Sequence, residues 1–90
     1  IMKPPILGSI NASGTATLFD KNNHVVGYCF DTPNSFAAAC ILNKEVIKME
    51  TFYQYFGKSV RTRNNKDIQE RIKMLKDSED LNRFNIKWNK

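Results

Sequence analysis

Residues 45–66 read EVIKMETFYQYFGKSVRTRNNK, and the fold turns on what their first half becomes. Val46, Met49, Tyr53 and Phe56 fall at i, i+3, i+7 and i+10, the stripe of an amphipathic helix. Gly57 stands where a C′ glycine would end that helix. Thr51 followed by Gln54 also makes a capping box, so the helix starts either near Glu45 or anew at Thr51, and the residues leave both open. Beyond Gly57 come Lys58, Arg61, Arg63 and Lys66 with no acidic residue among them. An apolar anchor, a breaker and a basic arm thus follow one another.

On the N-terminal side, residues 1–14 read as an extended lead-in, because Pro4 and Pro5 exclude a helix there. Residues 15–30, TATLFDKNNHVVGYCF, predict a β-hairpin rich in Thr, Val, Tyr and Phe. A two-residue turn at Asn22 and Asn23 would pair 19 with 26, 17 with 28 and 15 with 30. Phe19, Val26, Tyr28 and Phe30 then share one face, and Ala16, Leu18, Gly27 and Cys29 the other. Gly27 marks a bulge or the close approach of another backbone. After the turn DTPN, with Asn34 or Ser35 as cap, SFAAACILN predicts a short helix apolar on nearly every side. Residues 35–56 are therefore read as a helical pair.

On the C-terminal side, residues 65–76 predict a third helix with Ile68, Ile72 and Leu75 on one face and an Asp67–Arg71 pair on its surface. The tail, 79–90, is ambiguous. Leu81, Phe84 and Trp88 have helical spacing, whereas Phe84, Ile86 and Trp88 alternate like a strand. The expected fold is α+β in one domain spanning residues 1–90: an N-terminal β-hairpin, three helices and, as an option, a C-terminal strand.

The chain carries a net charge of +5. All of that excess lies in residues 44–76, which hold nine basic residues against four acidic ones. Localised charge points to a partner, here a polyanion. Cys29 and Cys40 have no CxxC spacing and only one histidine, His24, to accompany them, which argues for buried free thiols and against a metal site. The four glycines, at positions 8, 14, 27 and 57, make no phosphate loop, and a triad would lack its base. The expectation is a binding protein with no cofactor, not an enzyme. No apolar run approaches the roughly 20 residues of a membrane span, and the N-terminus does not read as a secretory signal, so a cytoplasmic location is expected. Ten Asn and ten Lys hint at an AT-rich genome such as a phage or organelle.

The order of elements resembles the modular helix-turn-helix DNA-binding repeats of homing endonucleases and related mobile-element proteins. The residues that carry the likeness are Phe19, Asp20, Ser35, Ala37, Ala38, Leu42, Tyr55, Gly57 and Lys58, within residues 15–58. The segment NKEVIKME between the two helices is longer than the usual turn and lacks its glycine. The resemblance implies DNA contact through the second helix.

The candidate nucleic-acid-binding residues are Gln54, Tyr55, Lys58, Arg61, Arg63, Lys66 and Arg71, with phosphates held through residues 58–66. DNA stands ahead of RNA as the partner. The alternative is a protein-interaction module, such as a small phage-encoded inhibitor or antitoxin of a host enzyme, with Tyr53, Tyr55 and Arg61 as anchors.

Overall fold

A computed structural model of the protein describes residues 14–53, 59–77 and 80–89, with the backbone alone at 52, 53, 59 and 60. Strands β1 (Thr15–Phe19) and β2 (Val25–Phe30) form the expected hairpin. Thr15 faces Phe30 and Thr17 faces Tyr28, but a bulge beside Phe19 sets that residue opposite Val25 instead of Val26. The connection is longer than two residues because Asp20 organises it. The Asp20 carboxylate accepts the N–H groups of Asn22 and His24, each at 2.9 Å, and Asn23 takes a left-handed φ of 65°. That φ is one asparagine tolerates.

Helix α1 (Pro33–Leu42) is capped by Thr32, whose hydroxyl accepts the Ser35 N–H at 3.1 Å. The expected caps Asn34 and Ser35 lie two and three residues past Thr32, inside the first turn. Pro33 presets the first helical φ and needs no N–H partner there, which moves the start upstream. Every residue from Ser35 to Cys40 is buried. The sheet covers one side of α1, and helix α2 (Gln69–Lys76) with the short 3-10 turns at Asn65–Ile68 and Leu81–Phe84 covers the other. Alanines at 37, 38 and 39 let these layers approach closely. Phe36, Leu18, Val46 and Met49 fill the centre.

The main correction falls on residues 45–56. The second predicted helix is strand β3 (Lys48–Tyr53), and the basic stretch after it is strand β4 (Ser59–Asn64). Among the described residues there are therefore two α-helices and a five-stranded antiparallel sheet rather than a hairpin and three helices. Met49 and Thr51 point into the core while Lys48 and Glu50 point away, which is the period of a strand. Val46 and Met49, three apart, satisfied a helical stripe as well. Pairing decided between the two: β3 bonds to β1 on one side and β4 on the other, and Ile47 donates to the Phe19 carbonyl at 2.9 Å. Such non-local bonds override a local propensity.

The 65–76 helix is present as the 3-10 turn running into α2, with Ile68 buried and Ile72 and Leu75 packed on the core. Both readings of the tail hold a part. Leu81–Phe84 is a helical turn, Asn85 reverses the chain with a left-handed φ of 53°, and Lys87–Trp88 forms β5 against β2. Strand order is β4-β3-β1-β2-β5. The chain runs twice through strand, strand, helix, and both helices lie on the same side of the sheet as the core.

Candidate nucleic-acid interface

The strand period of β4 puts Arg61 and Arg63 on one side, opposite the buried Thr51 and Met49 of β3. Both therefore project toward the helix side along the edge of the sheet. Arg61 is exposed. Arg63 is half-buried, and its Nε is shielded from water with no hydrogen-bond partner among the described residues. Lys66 is exposed on the following 3-10 turn and borders a cleft of about 520 Å³ with Ile47, Asn64, Asn65 and Asp67.

Arg71 goes elsewhere. Its guanidinium donates to Asn34 Oδ1 at 2.9 Å, across α1, in place of the expected pair with Asp67. The seven sequence candidates thus divide: Arg61 and Arg63 stand together, Lys66 borders one cleft and Arg71 another. Gln54, Tyr55 and Lys58 lie outside the described residues. The 45–56 segment, on which the helix-turn-helix resemblance placed the DNA contact, holds strand β3 and, among its described residues, no helix.

A second surface was not singled out from the sequence. The hairpin face carrying Ala16, Leu18, Gly27 and Cys29 is the buried one, because these small residues fit against the alanine surface of α1. The aromatic face points away from the helices. By register, Thr62, Glu50, Thr17, Tyr28 and Lys87 make one row across all five strands of that outer face. Tyr28 and Phe30 are each 40% exposed. Phe19 is half-buried, and the Lys48 ammonium sits 5.2 Å above its ring while bonding Glu50 at 3.2 Å. The signal that could have found this face is the small-residue composition of its reverse side.

Other reactive groups are quiet. Cys29 and Cys40 are free and buried, and burial pushes both thiols up to about 12, with the nearby Asp31 carboxylate adding to the effect at Cys29. The Cys29 thiol is directed at the Met49 sulfur, 3.7 Å away. His24 is exposed in the turn, 4.0 Å from the Asp20 carboxylate. The backbone N–H of His24, more than any other group, holds the Asp20 carboxyl below its usual range. Among the described residues no helix is long and apolar enough to cross a membrane.

Compared with family models, curated proteins and solved structures, the chain matches none of them. Its function must therefore be argued from the chemistry of these surfaces.

Proposed function

We propose that the protein is a small basic nucleic-acid-binding domain of the cytoplasm that holds phosphates and carries out no reaction. One observation carries this reading. Arg61 and Arg63 project from the same side of an edge strand, in a segment, 51–66, that contains four cationic residues and no carboxylate. An edge strand also keeps an open row of backbone groups, and Arg, Thr and Asn side chains beside backbone N–H groups are the usual phosphate-holding set. Two unpaired thiols accord with a reducing compartment.

The test is a salt titration of binding to labelled oligonucleotides, read by fluorescence anisotropy. If Lys58, Arg61, Arg63 and Lys66 each neutralise a phosphate, log K falls against log salt with a slope of roughly −3 to −4 on duplex DNA. Arg61→Gln and Lys66→Gln, both at exposed positions, should each reduce that slope by roughly one. Binding that is absent or indifferent to salt defeats the proposal. A stoichiometric protein retained from nuclease-treated lysate would turn the reading to the protein-interaction module.

A further inference from the structure

Phe30 ends β2 at the junction of two clefts. The first, about 260 Å³, is bordered by Thr15, Tyr28, Phe30, Asn85 and Lys87. The second, about 400 Å³, is bordered by Phe30, Thr32, Asn34, Arg71, Arg83 and Phe84. Lys87 stands directly opposite Tyr28 in the β2–β5 pair, so its ammonium shares the aromatic face. In the second cleft the Arg83 guanidinium lies 4.9 Å from the Phe84 ring, and Arg71 is tethered to Asn34. Among the described residues the two clefts together present three cations and no carboxylate. An exposed aromatic pair flanked by cations alone is complementary to a partner that is both planar and anionic.

We infer that the two clefts that meet at Phe30 take single-stranded nucleic acid, with unpaired bases stacked on the rings of Tyr28 and Phe30 and phosphates held by Lys87, Arg71 and Arg83. This rests on the nucleic-acid reading above and specifies the form of the ligand. A duplex keeps the faces of its bases inside the stack, where these rings cannot reach them without paying for unstacking. An unpaired strand offers those faces freely, and stacking accepts any base because every base has a π-face. The rings are also held for the task. Each sits on a strand bonded to β1, and Asn85, by turning the chain, brings β5 and Lys87 alongside Tyr28. The Arg61–Arg63 pair lies on β4, at the edge of the sheet opposite β2 and β5, so the two surfaces can be tested separately.

The experiment compares the full-length protein on labelled oligo-dT, on oligo-U of equal length, and on a hairpin duplex, at one salt concentration. The expected result is tighter binding to the single strands than to the duplex, and the two single strands tell DNA from RNA. Phe30→Ala and Tyr28→Ala should each weaken single-strand binding roughly five- to hundredfold, while duplex binding changes little. Phe30→Leu, which keeps apolar bulk without a ring, should lose binding similarly, and Phe30→Tyr should retain it; circular dichroism confirms that each variant is folded. Equal binding to duplex and single strand, unmoved by these variants, overturns the inference and leaves the nucleic-acid reading standing. Binding to none of the three ends both. A dimer in sedimentation that Tyr28→Ala dissociates would assign the face to a second copy of the chain, and a protein partner lost on the same substitution would assign it to that protein; either overturns the inference.

Discussion

Gly27 is the position where the sheet leaves no room. A Cβ built there would collide with the carbonyl oxygen of Lys87 and stand 2.8 Å from Cε3 of Trp88. Gly27→Ala therefore forces β5 either to shift or to detach. If it shifts, the cost is that of overpacking, about 1–3 kcal/mol. If it detaches, the ladder bonds of β5 to β2 are lost, and with them those from the Asn89 backbone to Val26 O at 2.9 Å and from the Asn89 side chain to Val25 O at 3.2 Å. At about 1 kcal/mol for each of the two Asn89 bonds and about 1–1.5 kcal/mol for the partial burial of Trp88, detachment costs more than about 3 kcal/mol. The cheaper response governs, so the expected loss is about 2 kcal/mol, or roughly 8–16 °C in Tm for a domain of this size. Trp88 is the protein's single tryptophan, so its fluorescence reports the event directly. The variant should emit at longer wavelength and melt earlier. Unchanged emission together with a stability loss below about 0.5 kcal/mol would refute the placement of β5 against Gly27.

Three further outcomes follow from the packing. Thr51 is fully buried and its hydroxyl donates to Asp31 Oδ1 at 2.6 Å, so Thr51→Val should cost about 1.5–3 kcal/mol in urea unfolding with an unchanged m-value. The folded Asp20 carboxyl titrates below its unfolded value, so its stabilising effect is full above the unfolded pKa and fades as pH falls through the folded one. Thermal melts should show Asp20→Ala removing part of the acid sensitivity below about pH 4, and Asp20→Asn, which keeps an acceptor oxygen for Asn22 and His24, should stay close to wild type at neutral pH. Burial of Cys29 and Cys40 should leave native protein almost unreactive toward Ellman's reagent at pH 8, with two thiols appearing in guanidinium; fast native labelling of either would contradict the packing of α1 on the sheet.

What could be read from the residues was local. The hairpin has alternation, β-branched residues and a turn all in one stretch of 16 positions, and α2 has its apolar stripe and flanking charges within one window. The 45–56 segment was not legible because its apolar positions satisfy two periods, and the bonds that choose between them come from Phe19 and from β4. The candidate site was legible as charge and partly as geometry. Arg61 and Arg63 are two apart, which joins them on one side of a strand, but SVRTRN holds a single apolar residue, Val60, so no alternation marks the basic arm after Gly57 as a strand. Which hairpin face is core depended on α1. Against a helix surface of alanines the face of Ala16, Gly27 and Cys29 packs more closely than one of Phe and Tyr, which turned the aromatics outward.

The order β4-β3-β1-β2-β5 also has a consequence for how the protein is made. The first of the described strands to be synthesised takes a central place in the sheet, and its two neighbours are completed at different times. β2 follows within a dozen residues and α1 soon after, so a hairpin with a helix on it can assemble early. The other edge of β1 waits for β3, which begins at Lys48. Until then the nascent chain presents a row of unpaired backbone groups beside Leu18, the condition that invites pairing with another chain. Leaving the ribosome at a rate of several residues per second, the protein passes through that state for seconds, and prompt arrival of β3 is what closes it.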